Sequence, residues 1–257
     1  MTVFICGSEP EDIFCGIYDA WMSRLGHENV RLEPAGCDRE LFCRYREVKT
    51  SAEKAKKVTD SIRRKLSEQL YETVYRAALS RDPFRCDKIY RFLIYAFAAG
   101  PSVLERLQIP AVHQLFSMNR RLNREYDHMR GFTRFSQTEE GILLAKIEPE
   151  NDITVLLAPH FADRMPLESW MIYDCRRRKA AVHQSGGPWV MVRADASEWE
   201  QRLHAGTDEK QYEELWRTFH RAAAIEAREN LRCQQNLLPL RYRPYMTEFT
   251  QATPESV

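Results

Sequence analysis

The sequence lacks the features that mark a disulfide-stabilised, metal-binding or membrane protein. Its seven cysteines are scattered without a C-x-x-C pair, which argues against a disulfide framework, a zinc ribbon or an iron–sulfur cluster. The longest apolar stretch, residues 89–100, is too short to cross a bilayer and contains Arg91. The first residues carry no positively charged segment before their short apolar run, so we expect no secretory signal. A cytoplasmic protein with reduced thiols fits these features best.

A large net charge is also missing. The chain has 38 Lys and Arg against 37 Asp and Glu, a formal net charge of +1. This balance excludes a polycationic protein that coats nucleic acid, so any attraction to phosphate must come from local clusters. With 257 residues, 44% of them hydrophobic, the chain is long enough to bury a substantial core.

Short catalytic and ligand-binding motifs are absent as well. The sequence has no H-E-x-x-H, no G-x-S-x-G and no glycine-rich loop followed by a lysine. Glu125, Asp127 and His128 lie on one helical turn, but they form no dense acidic cluster. We therefore expect no metal and no cofactor.

Hydrophobic periodicity predicts a strand over residues 2–6 and helices toward both ends of the chain. An arginine-rich tail follows the last helix, and Pro239 keeps it from extending that helix. The predicted helices cover residues 9–25, 51–80, 87–99, 110–129 and 207–232.

After Gly131 the period changes from 3.6 to 2, which predicts strands. We expect one hairpin with its turn at residues 139–141, a second with its turn at residues 176–178, and a further strand within residues 185–195. Between the hairpins, Pro159 is expected to begin a short helix that ends before Pro166.

These elements predict an α+β fold in which an antiparallel meander sheet is flanked by N-terminal and C-terminal helices. No internal repeat or low-complexity linker divides the sequence, so we expect a single domain. Its parts are a mostly helical lobe over 1–108, a helix and sheet over 109–195, and a helix and tail over 196–257.

The short helix carries a candidate anion site. His160 and Arg164 are four residues apart and share a face, with Asp163 adjacent to both. At a helix N-terminus, free N–H groups would add to the imidazole and guanidinium in binding phosphate or carboxylate. In the alternative interpretation, His160 caps a core and Arg164 pairs with Asp163 or Asp174.

A cationic ridge is expected on the helix over residues 110–129, where Arg120, Arg124 and His128 are spaced four apart. Arg130 and Arg134 would extend it past the helix. Arginines interleaved with aromatic residues suit single-stranded nucleic acid, because guanidinium groups neutralise phosphates and rings stack on bases. An ordinary solvated surface is the alternative.

Other residues could complete such a surface. The turn at residues 176–178 and the tail after Pro239 add further arginines. In the alternative interpretation, the arginines of such a turn are simply exposed to solvent, and the tail covers the core. The added candidates are Arg176, Arg241 and Arg243 for phosphates, and Trp170, Tyr173 and Tyr242 for stacking. An enzyme is the contrasting hypothesis: His160 with Glu125 or Asp174 could act as acid and base on a DNA lesion or a nucleotide.

Four stretches, "TVFICGS", "MRGFTRF", "LLAPHFADRMPLESWMIYDCRR" and "RYRPYMTEF", resemble a bacterial family of probable DNA-metabolism or DNA-repair proteins of unknown function. The resemblance implies a gene neighbour that is a radical-SAM protein acting on DNA, and in some members a fused uracil-DNA-glycosylase-like domain. Because this chain lacks the three-cysteine cluster of radical-SAM enzymes, the resemblance makes it the partner of such an enzyme.

The resemblance thus implies a DNA-binding accessory protein of repair or modification that acts on single-stranded or damaged DNA. A scaffold that only docks the radical-SAM partner is a third hypothesis. Where the family pattern places a histidine four residues before the glycine of "GFTRF", this chain has Asp127. If that histidine is catalytic in the family, the substitution removes the activity here.

Overall fold

The computed structural model describes residues 1–193, 209–222 and 230–249. The chain divides into two compact units, Met1–Arg124 and Glu125–Val257. The boundary falls within a long helix, between residues that the sequence pattern assigns to the same element. The expectation of one domain with three parts stays a prediction.

A small parallel sheet opens the first unit. Strand β1 (Thr2–Cys6) lies between β2 (Val30–Pro34) and β3 (Arg44–Glu47), and pairs in parallel with both. Helix α1 (Pro10–Met22) supplies the crossover that a parallel pair of neighbouring strands requires. The sequence pattern predicted β1 but neither partner strand, since β2 and β3 carry arginines and glutamates.

Helices complete the first unit around one apolar core. Buried positions recur on each helix at the spacing of a single face, as in Ala55, Val58 and Ile62. The helices are α2 (Ala52–Lys65), α3 (Glu68–Ala78), α4 (Arg85–Ala99) and α5 (Pro110–Phe132), the last continuing into the second unit.

The single helix predicted over residues 51–80 is wrong, because the chain breaks between α2 and α3. Leu66 leaves the helical region with φ −116° and ψ −94°. Ser67 then caps α3: its hydroxyl oxygen accepts a hydrogen bond from the backbone N–H of Leu70 at 3.1 Å. The apolar stripe of the sequence continues across this break, and so concealed it.

The second unit is built on a five-stranded sheet with the order β4-β5-β6-β7-β8. Both predicted hairpins and the further strand are confirmed, and Gly141, with φ +77°, closes the first turn in a conformation that favours glycine. The strands are β4 (Ser136–Gln137), β5 (Leu143–Ile147), β6 (Trp170–Asp174), β7 (Lys179–His183) and β8 (Trp189–Arg193).

The predicted antiparallel meander is wrong, because the sheet of the first unit is parallel and that of the second unit is mixed; the combination of helices and strands fits the predicted α+β class. Strands β5 and β6 pair in parallel, so the sheet is mixed. The cause is the segment between the two hairpins, where helix α6 (Thr154–Arg164) allows the chain to cross over and return in the same direction.

Helix α6 also begins earlier than the sequence indicated. Pro159 lies inside it on the exposed side, whereas Thr154, Leu157 and Ala158 are buried. His160 consequently lies in the second half of the helix, where the free N–H groups of the first turn are out of reach. The expected help of a helix N-terminus for an anion at His160 is therefore wrong.

The C-terminal segments confirm part of the predicted long helix. Helix α7 (Glu209–Ala222) lies within it, residues 223–229 lie outside the described part, and α8 (Leu231–Leu237) precedes a 3₁₀ helix over Leu240–Tyr245. As expected, α8 ends before Pro239. Among the described residues, no helix is long and apolar enough to cross a membrane.

The cap at Ser67 can be tested by substitution. Replacing Ser67 with alanine should lower the free energy of unfolding by about 1 kcal/mol, since the Leu70 N–H loses its acceptor. Ser67→Asp, which keeps a capping oxygen, should remain close to the unchanged protein. Urea unfolding of the three chains measures the difference, and equal losses for both variants would contradict the capping role.

Candidate nucleic-acid interface

A buried carboxylate organises one end of the second unit. Glu125, whose side chain is only 3% exposed, accepts hydrogen bonds from the backbone N–H groups of Glu150 at 2.9 Å and Asn151 at 2.7 Å. The side-chain amide of Asn151 donates to it at 2.6 Å, and the hydroxyl of Tyr242 at 3.2 Å. Glu125 thus connects α5, the loop after β5 and the 3₁₀ helix of the tail.

The tail residues Arg241 and Tyr242 interact directly with the carboxylate of Glu125. Burial and the nearby Glu125 raise the pKa of Tyr242 to about 12, so its hydroxyl stays protonated and can donate. Arg241 donates to the Tyr242 hydroxyl at 2.8 Å and lies 3.4 Å from a carboxylate oxygen of Glu150. Tyr242 is buried, so its ring is not open for the stacking on bases that we expected.

Asp174 has a structural position at the end of β6. One of its oxygens accepts from the backbone N–H groups of Arg176 at 3.0 Å and Arg177 at 3.1 Å, and the other from the Arg177 guanidinium at 3.0 Å. Burial raises the pKa of this carboxyl, and the pairing with Arg177 opposes that rise only in part. Asp174 therefore closes the turn between β6 and β7.

Arg134, expected in the cationic ridge, is paired with an acid of the tail. Its guanidinium donates to both oxygens of Glu248, at 2.7 and 3.2 Å, and lies over the ring of Trp216. Burial would raise the pKa of Glu248, but the hydrogen bonds from Arg134, its backbone and Trp216 outweigh it and hold the pKa below its ordinary value. Because its charge is neutralised by Glu248, Arg134 is a poor ligand for phosphate.

Two further candidate arginines also have local partners. Arg176 pairs with Glu148 at 3.3 Å, and the hydroxyl of Tyr245 donates to the same carboxylate at 2.8 Å. The Arg243 guanidinium lies 4.6 Å from the ring centroid of Phe249. Both side chains hold the tail and the neighbouring turn in place.

The other rings expected to stack on bases are in the core. Trp170 is 0% exposed and stacks on the imidazole of His183, with ring centroids 5.0 Å apart and planes 10° from parallel. Tyr173 is 6% exposed. Strand β6 is buried along its whole length, so its sequence lacks the alternation of apolar and polar residues that marks a half-exposed strand. The burial of both rings was therefore not evident from a period-2 pattern.

Three of the residues expected to bind phosphate, Arg130, His160 and Arg164, interact electrostatically. His160 is half-buried against the ring of Phe161, and the exposed Arg164 follows one turn later on α6. Burial lowers the pKa of His160, and the positive charges of Arg130 and Arg164 lower it further, against a smaller opposing effect of Asp163. We call Arg130, His160 and Arg164 the basic triplet.

The basic triplet is weakly compensated by acids. Arg130 is 3.9 Å from Asp127, and the side chains of both are largely exposed to solvent. Arg164 forms no ion pair or hydrogen bond within the described ranges, so the expected alternative of pairing with Asp163 or Asp174 is not seen. Arg164 is consequently the member of the basic triplet whose charge has no ion pair among the described residues.

Of the remaining ridge residues, Arg120 and Arg124 belong to the first unit and His128 belongs to the second. Arg120 and Arg124 are exposed on α5, as the spacing predicted, and neither has a partner among the residues that the structure describes. His128 contacts the rings of Phe132 and Tyr242 instead of standing free on a ridge.

The acid–base pair proposed for an enzyme is not formed. No hydrogen bond joins His160 to Glu125 or Asp174 in the described part of the chain, and both carboxylates are occupied by backbone N–H groups. Across the same residues, no group of three or more His, Cys, Asp or Glu side chains has the arrangement of a metal site.

Sequence reasoning missed the partners that fix these residues. Glu148, Asn151 and Glu248 neutralise or anchor candidate side chains, yet Glu248 lies 114 residues from Arg134 along the chain. A single sequence contains no signal for such a pair. The short-range partner Arg177, three residues from Asp174, could have been found from the turn.

The second unit thus combines a mixed sheet with a tail that is anchored on the buried carboxylate of Glu125. The sequence model of a family described as a domain of unknown function, DUF4130, matches residues 83–248, more than half of the chain. The chain therefore belongs to the DUF4130 family. A comparison with curated proteins gives no match.

The role of Glu125 as an anchor gives a stability prediction. Glu125→Ala should lower the free energy of unfolding by about 3 kcal/mol, because buried donors of Asn151 and Tyr242 lose their acceptor. Glu139→Ala, at an exposed turn, is the matched control and should stay within about 0.5 kcal/mol. A loss below about 1 kcal/mol for Glu125→Ala in urea unfolding would show that the anchor contributes little.

Proposed function

We propose that the chain is a DNA-binding accessory protein of DNA repair or modification, and that the basic triplet contacts DNA phosphates. The observation that supports this is the exposed Arg164, one turn after His160 on α6, together with Arg130, whose only ion pair is a 3.9 Å contact with Asp127 among the described residues. Arg164 has no acidic partner among the described residues, so it is available to an external anion.

The chemistry of the basic triplet suits a polyanion. Arginine side chains bind phosphate through paired N–H groups and remain charged at every physiological pH. Burial is the main cause that lowers the pKa of His160; a phosphate bound by the arginines would offset the further lowering by their charges, and binding would release counterions from the DNA. A net charge of +1 for the whole chain makes this attraction local.

The mode of contact differs from the one that the sequence suggested. Because Trp170, Tyr173 and Tyr242 are buried, stacking of bases on these rings has no support. We propose contacts to the sugar–phosphate backbone by the basic triplet. Arg120 and Arg124, exposed on α5, are separate candidates for phosphate binding in the first unit. Arg134, Arg176, Arg241 and Arg243 are then positioning residues that hold the tail and turns.

The biological setting belongs to the same proposal. Action beside a radical-SAM partner, with a uracil-DNA-glycosylase-like protein as a possible third component, rests on the resemblance of the four sequence stretches. An enzyme that uses His160 as acid or base has weaker support, because Glu125 and Asp174 serve structural roles.

The experiment compares DNA affinity at two ionic strengths. The double variant Arg130→Gln/Arg164→Gln should bind labelled single- and double-stranded DNA more weakly at low salt. If two phosphate contacts are lost, the slope of log affinity against log salt should become shallower by about 2. Arg106→Gln, another exposed arginine, is the control and should leave both quantities unchanged.

Fluorescence anisotropy with labelled DNA measures these affinities, and circular dichroism checks that each variant is folded. Equal binding by the double variant and the unchanged chain would contradict a phosphate site at the basic triplet. Weak, salt-independent binding by the unchanged chain would instead favour the scaffold hypothesis.

A further inference from the structure

The first unit contains a groove that the proposed function does not use. It lies between α1 and α2, is closed at one side by Phe97 of α4, and has a volume of about 490 Å³. Pockets of this size hold small molecules, and most are lined by apolar and aromatic groups with a few polar ones. Ile17 and Val58, both buried, give this groove an apolar base.

An aromatic wall is fixed in place by its neighbours. The Trp21 ring meets the Phe97 ring edge to face, with centroids 5.4 Å apart and planes at 78°. On its other contacts Trp21 packs against Tyr90 at 5.8 Å and His27 at 4.9 Å. Because these contacts restrain the indole, the groove presents a preformed aromatic surface to a ligand.

The opposite wall carries cations on α2. Lys57 and Lys65 lie about two helical turns apart on the same face, with Ser61 between them. The Lys57 ammonium is held by Glu53 at 2.6 Å. Lys65 is exposed and has no partner among the described residues, so the groove has one uncompensated positive charge at its edge.

We propose that this groove binds a small amphipathic ligand with a flat aromatic body and one anionic group. The aromatic body packs against Trp21 and Phe97, and the anionic group pairs with Lys65. An anionic group gains an ion pair with Lys65 that a neutral ligand cannot form, whereas a highly polar ligand would leave the apolar base of the groove poorly matched.

An aromatic carboxylic acid fits better than a nucleotide. The edge of a nucleobase requires several hydrogen-bond partners, and the base of the groove supplies apolar side chains there. Most of the groove comes from residues before 83, outside the region that matches DUF4130, and none of it belongs to the basic triplet. The proposal is consequently independent of DNA binding.

Two dyes with the same rings test the anionic requirement in the full chain. The probes are 8-anilinonaphthalene-1-sulfonate and its uncharged counterpart N-phenyl-1-naphthylamine. Lys65→Gln should weaken the sulfonate about fivefold and leave the neutral dye unchanged, since one ion pair is lost. The control Lys56→Gln, also exposed on α2 but outside the groove, should change neither affinity.

A blocking variant shows whether the dyes occupy the groove. Ser61→Trp fills it and should abolish the fluorescence of both dyes, with circular dichroism as a check of folding. Unchanged sulfonate binding in Ser61→Trp would overturn the proposal. So would an equal loss of both dyes in Lys65→Gln, a result that remains decisive if Ser61→Trp does not fold.

Competition identifies the ligand class. We expect 1-naphthoate to displace the sulfonate dye and adenosine monophosphate to leave it bound. Displacement by adenosine monophosphate as well would contradict the preference for an aromatic carboxylic acid over a nucleotide. Displacement by neither overturns the proposal, while the salt-dependent DNA assay of the basic triplet is unaffected by any of these results.

Discussion

The buried carboxylate of Glu125 is the constraint on which the second unit depends. Removing such a group from water is costly, and the cost is offset here by two backbone N–H groups, an amide and a phenol that converge on its two oxygens. Through these bonds the end of α5 fixes both the loop after β5 and the 3₁₀ helix of the tail. The tail can then bring Glu248 to Arg134.

Several arginines of this unit are paired with acids. Arg134, Arg177 and Arg241 each meet a carboxylate that is almost fully buried, so their charges serve the fold. The formal net charge of +1 therefore does not show which arginines are paired with acids and which are not. We assign phosphate binding to the basic triplet because Arg164 has no ion pair or hydrogen bond among the described residues and Arg130 is only weakly paired with Asp127.

Local signals in the sequence were sufficient for much of the sheet. Alternating residues and the glycine at position 141 located the first hairpin, and the cationic turn located the second. The parallel pairing of β5 with β6 was not predictable in the same way, because α6 begins at Thr154, well before the proline that looked like a start. Whether two such strands pair in parallel or antiparallel depends on whether the connection crosses over the sheet.

The candidate site was predictable only in part for a related reason. Residue type and spacing found His160 with Arg164, since i and i+4 positions share a helical face. They could not separate Arg130, which remains weakly paired, from Arg134, which Glu248 neutralises through a contact between distant parts of the chain. Burial likewise removed Trp170 from the surface, because every residue of β6 is buried.

The central claim is that Arg130 and Arg164 create a positive site around His160 that an anion relieves. The most direct measurement is an NMR titration of the His160 ring in the free chain and with a short DNA duplex. We predict a pKa below the ordinary 6.5 in the free chain and a rise when DNA is added. An ordinary pKa that DNA does not change would contradict the claim.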